Sequence, residues 1–324
     1  MKIENKSLAK ALFGAVRIEE DEGFLFPFRF SKRQLERRQG EEGYLIRARS
    51  ASCMTIDFYT DATQLEFDYR VRIGSGKKLC FFDIRVNDRL MFHTGKMDIL
   101  EDAGHIAFDM SEGMKRVTVY LPCLYETKIG NFCITDGAVF EPVKKEKKIL
   151  FLGDSITQGY SSDCPSLCYA NQIVRKYDAI CVNQAIGGSM FNEDYLDGEI
   201  LPDADMVLVA YGTNDWAGGV DIEGNATAYM NKLVGLYPNS RVYMILPIWR
   251  KDQDRENAVM TFDEARQVVK RVGESIPGVT VIDGINFVPH DTSLYEDGRV
   301  HPGDIGFMCY AEELGKALEE HEAK

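Results

Sequence analysis

Lys147-Lys148-Ile149-Leu150-Phe151-Leu152-Gly153-Asp154-Ser155-Ile156-Thr157 is the stretch on which the fold turns. An unbroken apolar run over 149–152 is what a strand buried on both faces requires. The glycine after it turns the chain tightly, which puts the Ser155 hydroxyl at the strand's carboxyl end, near a helix start. Similar short apolar runs recur at 180–182, 206–210, 242–246 and 279–282. Helical spacing fills the intervals: Leu167, Ala170, Val174 and Tyr177 mark one face, Ala226, Met230, Leu233 and Tyr237 another. Phe262, Ala265, Val269 and Val272 mark a third, and Ile305, Cys309 and Leu314 a fourth. Strand alternating with helix predicts a three-layer α/β domain with a parallel sheet. Ligands of such sheets bind beyond the carboxyl ends of the strands.

Upstream the period is two. Met54, Ile56 and Phe58 alternate with Thr55, Asp57 and Tyr59, and Leu65, Phe67, Tyr69, Val71 and Ile73 alternate with polar residues. Phe82, Ile84 and Val86, then Val117, Val119 and Leu121, repeat the pattern. Such alternation belongs to strands with one buried face. Turn signals at Thr60-Asp61-Ala62, Gly74-Ser75-Gly76 and Asn87-Asp88 separate them. Residues 1–143 therefore read as an all-β sandwich, jelly-roll-like, and 144–324 as the α/β domain.

The formal net charge of −13 argues against a surface that tracks nucleic-acid phosphates. The cluster Lys144, Lys145, Lys147 and Lys148 reads as a solvated linker. Several of the eight cysteines lie in apolar strand-like runs, where a thiol behaves as a small hydrophobe. Cys164 and Cys168 have no second Cys/His pair to complete a zinc pattern, so no metal is expected. The start, MKIENKSLAKAL, lacks the apolar segment of a signal peptide, and no run approaches membrane-spanning length. The expectation is a reducing, cytoplasmic setting without a membrane partner.

Four blocks fall just after strands or before the last helix. Gly153-Asp154-Ser155 offers a hydroxyl, which needs a nearby base to act as a nucleophile. Asn183-Gln184-Ala185-Ile186-Gly187-Gly188 offers a closely approachable backbone N–H. Gly212-Thr213-Asn214-Asp215 offers an amide donor, and Asp297-Gly298-Arg299-Val300-His301-Pro302 a base. Each alone is only a turn sequence. Asp154 reads as structural, bonding nearby turn amides. His290, followed by Asp291, is the rival base; His93, His105 and His321 read as ordinary.

In this order the blocks resemble the SGNH (GDSL-type) hydrolases over roughly residues 147–320. The resemblance implies a nucleophile at Ser155 and a base at His301. It also implies an oxyanion hole from the Ser155 and Gly188 backbone N–H groups and the Asn214 side chain, with no cofactor. One departure stands out. The family usually places its acid three residues before the histidine, but position 298 is Gly and the nearest acid is Asp297. Either Asp297 reaches the imidazole through a loop with one extra residue, or a backbone carbonyl orients His301.

Trp249 and Trp216 are candidate platforms for a sugar ring, or else buried loop anchors, and Arg250 reads as a surface charge. A β-sandwich ahead of an SGNH domain resembles the family 2 carbohydrate esterases. That similarity implies deacetylation of an acylated oligosaccharide. The alternatives are a lysophospholipase or acyl thioesterase, or a carbohydrate-binding protein with a decayed hydrolase domain. The β domain binds sugar, covers one side of the site, or joins copies into a homo-oligomer.

Overall fold

The computed structural model describes residues 1–255 and 259–323. Two compact units emerge: Met1–Glu146 with Asp163–Ser166, and Lys147–Ser162 with Leu167–Lys324.

The first unit is built on two antiparallel sheets. Eight of its strands are Phe24–Phe28, Thr55–Thr60, Gln64–Ile73, Leu79–Val86, Arg89–Met97, Glu101–Asp109, Lys115–Tyr120 and Tyr125–Ile134. The first of these pairs with the eighth, the second with the seventh, the third with the sixth and the fourth with the fifth, all antiparallel. That nesting is the jelly roll. The period-two residues make the core between the sheets: Phe58 and Phe82 from one meet Phe132 and Phe67 from the other, with ring centroids 5.7 and 6.0 Å apart. Edge-on aromatic contact at this spacing adds to the area buried.

The unit is not wholly β. Asn5–Ala11, Lys32–Glu36 and Glu42–Ala48 are short helices. At five to seven residues they are too short for a 3.6-residue period to register in sequence. The cue for the second was local: Ser31 and Gln34 form a capping box, each side chain bonding the other's backbone N–H.

The lysine cluster is also not a solvated linker. The Lys145 side chain is 5% exposed, and its Nζ lies 2.8 Å from the buried carboxylate of Asp57. Arg116 holds the same carboxylate with two bonds, 2.9 and 2.6 Å, and Thr118 donates a third at 3.1 Å. Burial alone would raise the Asp57 carboxyl, but these partners hold it below its ordinary value. Lys147 pairs with Glu322 and Lys148 with Asp203.

The second unit has a five-stranded parallel sheet. In spatial order its strands are Ile180–Asn183, Lys148–Gly153, Met206–Ala210, Arg241–Ile245 and Val279–Ile282. The sheet core Ile149, Leu150, Phe151, Val207 and Met244 is fully buried, as the apolar runs require. Helices Tyr169–Tyr177, Ile222–Leu236, Phe262–Ser275 and Asp304–Glu322 carry the periodic faces. One face is rotated from its sequence reading. Ile305 is 66% exposed, and Phe307, Tyr310, Ala311, Leu314 and Leu318 form the buried stripe. Phe307, two residues on in the same first turn, starts the buried stripe, so the core face is offset from Ile305. Among the described residues no helix is long and apolar enough to cross a membrane.

The Asp57 cluster gives a stability test. Asp57→Ala strands Lys145 and Arg116 without their buried counter-charge, and denaturant unfolding should show a loss of about 3–5 kcal/mol. A loss under about 1 kcal/mol would mean that solvent already screens the cluster.

Candidate active site

The order of the parallel strands decides what meets at the site. Lys148–Gly153 lies between Ile180–Asn183 and Met206–Ala210, so the connections leave it on opposite sides. The carboxyl ends of Lys148–Gly153 and Met206–Ala210 form the switch point, where such sheets take their ligands. Ser155 follows the first of these strands and Asn214 the second; Gly188 follows the flanking strand Ile180–Asn183.

The turn into Ser155 is tight. A Cβ on Gly153 would sit 2.3 Å from Thr157 Oγ1 and 3.0 Å from the Ala210 carbonyl oxygen, so only glycine fits. Asp154 caps the one-turn helix Ser155–Gln158 by accepting the Ile156 N–H at 2.9 Å. Ser155 is the first residue of that helix, a position whose N–H has no intrahelical acceptor.

Ser155 Oγ lies 2.9 Å from His301 Nε2, and His301 Nδ1 lies 2.7 Å from Asp297 Oδ2. The extra residue in the loop is absorbed at Gly298, whose φ of +64° is a left-handed conformation open to glycine at no steric cost. The loop then closes on itself. Asp297 Oδ1 accepts the backbone N–H groups of Arg299, Val300 and His301 at 2.9, 2.8 and 3.1 Å. Glu296 N–H reaches the His301 carbonyl at 2.9 Å. Burial alone would raise the Asp297 carboxyl, but the Val300 and His301 N–H groups, the His301 ring and the Arg299 N–H hold it well below the usual carboxylate range. Hence Nδ1–H donates to Asp297, and Nε2 is left to accept from Ser155. Tyr160, unremarked in the sequence, packs its ring 4.6 Å from the imidazole.

Asn214 Nδ2 donates to the Ser189 carbonyl at 3.0 Å, which fixes the side chain against the turn holding Gly188 and leaves its second N–H available. Gly188 is exposed, with φ +83°. Gly187 N–H donates to Gln158 Oε1 at 2.7 Å and Ile186 N–H to the Gly153 carbonyl at 3.0 Å, tying that turn to the one carrying Ser155. Asp215 completes the clamp by accepting Phe191 N–H at 3.0 Å and Gly212 N–H at 3.1 Å. Sequence reading missed Gln158 and Asp215; the capping position of Asp215, three residues after Gly212, was the available signal.

Two expectations are corrected. Trp216 is 1% exposed, donates its indole N–H to the Met260 carbonyl at 2.9 Å and packs against Phe262, so it is a core anchor and no sugar platform. Arg250 is no surface charge. It is 5% exposed, chelates Asp252, donates to Thr213 Oγ1 at 2.9 Å and lies over the Trp216 ring. A planar guanidinium serves all these contacts at once, and it steadies the turn next to Asn214. Trp249 is half-buried and stacks on His290, centroids 5.2 Å apart. His290 Nε2 lies 3.0 Å from the Ile285 carbonyl, which accounts for the rival base.

Burial pushes the Asp154 carboxyl up to about 7. The Ile156 N–H opposes the rise, and the Asp215 carboxylate adds to it. Asp215 is raised by burial to about 6, against the N–H groups that bond it.

Residues 151–307 match the model of the GDSL-like lipase/acylhydrolase family. No curated protein matches the chain by sequence. Among solved structures, the chain is similar to the salicylyl-acyltransferase SsfX3 from a tetracycline biosynthetic pathway: TM-score 0.83, 20% identity, 96% of this chain and 95% of that one. A family two carbohydrate esterase from Cellvibrio japonicus superposes with TM-score 0.64 at 14% identity over 97% and 96%. A family two carbohydrate esterase from Clostridium thermocellum in complex with cellohexaose does so with TM-score 0.62 at 18% identity over 85% and 94%. These likenesses show a common fold of antiparallel β sheets followed by an SGNH-type parallel sheet.

The raised acid beside Ser155 predicts a pH-dependent stability. A carboxyl whose folded pKa exceeds its unfolded value favours the native state most when protonated. That contribution is lost as pH rises from about 4 to about 7. Asp154→Asn keeps an acceptor for Ile156 N–H and removes the ionisation. Its denaturation midpoint should match wild type near pH 4 and exceed it at pH 8, by on the order of 2–4 kcal/mol in unfolding free energy. An equal difference at both pH values would contradict the reading.

Proposed function

We propose that this chain, whose residues 151–307 match the model of the GDSL-like lipase/acylhydrolase family, is a serine esterase that removes a short acyl group, acetyl, from a carbohydrate. The observation that carries the proposal is the relay from Ser155 Oγ through His301 to Asp297, with steps of 2.9 and 2.7 Å.

The chemistry follows from who holds which proton. His301 Nε2 takes the proton of Ser155 Oγ as that oxygen bonds to the ester carbonyl carbon. The carbonyl π pair moves onto oxygen. The Ser155 and Gly188 backbone N–H groups and the second Asn214 amide N–H receive that charge; each such donor is worth a factor of about 10²–10³ in rate. Collapse breaks the bond to the alcohol, which leaves with the proton from Nε2. Water then attacks the acyl-serine with His301 again as base, releasing acid and restoring the hydroxyl. Asp297 stays ionised throughout and stabilises the imidazolium. The steps call for no cofactor.

The carbohydrate part of the proposal rests on the likeness to family two carbohydrate esterases, supported by the half-buried Trp249. A second reading has its own support. The likeness to a salicylyl-acyltransferase suggests that an acceptor alcohol, in place of water, resolves the acyl-enzyme.

Ser155→Ala should abolish hydrolysis of aryl acetate, and substantial residual turnover would remove the proposed nucleophile. Wild type should prefer acetyl over decanoyl aryl esters and should deacetylate xylo-, manno- or gluco-oligosaccharides. A decanoyl preference would favour the lysophospholipase or thioesterase alternative. Transfer to an added alcohol outrunning hydrolysis would favour the acyltransferase.

Asp297→Asn keeps an oxygen for the loop N–H groups but presents NH₂ to the ring, which favours the wrong tautomer. Its kcat on aryl acetate should fall by about 10³–10⁴. A change under about tenfold would show that the carboxylate is dispensable.

A further inference from the structure

We propose that Asp83, His93 and Cys164, in the first unit, form a binding site for a divalent metal of zinc-type chemistry. Asp83 and His93 stand opposite each other on adjacent antiparallel strands. Their side chains meet at 2.8 Å between Asp83 Oδ1 and His93 Nδ1. Cys164 belongs to Asp163–Ser166, the segment that packs with this unit although the chain on either side belongs to the other. Its Sγ lies 3.7 Å from the same His93 Nδ1. The three donor atoms all fall within 4.8 Å of one another.

Their convergence on one nitrogen separates this cluster from a nucleophilic relay. A Cys–His–Asp relay needs the thiol and the acid on opposite ring nitrogens, as Ser155 and Asp297 are on His301. Here both face Nδ1, so the ring cannot take a proton on one side while being held on the other. A hydrogen bond between Asp83 and His93 accounts for two members, and the Sγ contact brings the third donor to the same nitrogen. A tetrahedral zinc ion accounts for all three. Bonds of about 2.3 Å to sulfur and 2.0–2.2 Å to nitrogen and oxygen separate the ligand atoms by about 3.3–3.7 Å. The 3.7 Å between Sγ and Nδ1 matches that, while Oδ1 and Nδ1, now at hydrogen-bond distance of 2.8 Å, would have to part by about 0.5 Å to take an ion between them.

The supporting contacts suit a ligand set. Asp83 is fully buried, and its other oxygen accepts the Ser166 N–H at 2.8 Å, so one carboxylate fixes both itself and the segment bearing the thiol. Phe81 stacks on the imidazole at 4.8 Å, tilted by 22°, which sets the ring plane. His93 keeps 35% of its side chain exposed, leaving a solvent side for water as fourth ligand. Thiolate and imidazole select zinc-like ions over magnesium or calcium. On loading, the Cys164 thiol loses its proton to water, the ring proton resides on Nε2, and the thiolate and carboxylate balance the two positive charges.

The test uses the full chain, stripped with a chelator and titrated with Co²⁺ and then Zn²⁺. One equivalent of Co²⁺ should produce a near-ultraviolet thiolate-to-cobalt band and the visible bands of four-coordination, and Zn²⁺ should bleach both. Cys164→Ser should remove the near-ultraviolet band. It and His93→Gln, both outside the buried core, should each weaken Zn²⁺ binding by at least about tenfold. Cys309→Ser should leave all of this unchanged. Absence of the thiolate band, its survival in Cys164→Ser, or undiminished zinc affinity in both variants would overturn the proposal.

Discussion

The two oxygens of the Asp297 carboxylate do separate jobs, and the candidate site rests on that division. Oδ1 gathers three successive backbone N–H groups and so shapes the loop, while Oδ2 holds the imidazole that the loop presents. A carboxylate held ionised by four hydrogen bonds fixes the tautomer of His301, and the tautomer decides whether Nε2 can accept from Ser155. A single residue thus links backbone geometry to proton position.

The remaining site is organised by buried polar groups that bind neighbouring turns together. Gln158, Asn214 and Asp215 join the turn after Ile180–Asn183 to the turns after Lys148–Gly153 and Met206–Ala210. Arg250 adds the turn after Arg241–Ile245. Buried polar side chains with their partners in place cost little and orient well; the same groups half-satisfied would be expensive. Asp154 shows the cost of such an arrangement, since its burial beside Asp215 raises its pKa into the physiological range. Donors for a developing oxyanion must be fixed before charge appears, and turns locked in this way meet that requirement.

The legibility of the sequence varied with the range of the interaction concerned. The parallel strands could be read because burial on both faces leaves an unbroken apolar run, and the sandwich because one buried face leaves a period of two. Arg89–Met97 and Glu101–Asp109 are edge strands; the first is exposed over most of its length, and in the second exposure alternates but only Ile106 and Phe108 are large apolar residues on the more buried side. Asp297 was legible only as an alternative, because the φ at Gly298 that absorbs the extra residue is a property of the folded loop. Trp216, Arg250 and Lys145 were placed by residue type; the partners that fix Trp216 and Lys145 lie 44 and 88 residues away, and Arg250, besides Asp252 two residues on, reaches Thr213 at a separation of 37. The cluster of Asp83, His93 and Cys164 is invisible in sequence for the same reason, since the thiol is 71 residues from the imidazole.

The most direct measurement is intact-mass and peptide mapping of the protein after exposure to a small fluorophosphonate. Such a reagent phosphonylates a serine only where a base removes its proton and donors hold the oxyanion. The account predicts one adduct per chain, on the peptide containing Ser155, lost when His301 is replaced by Ala. No adduct, or an adduct on another residue with Ser155 unlabelled, would contradict it.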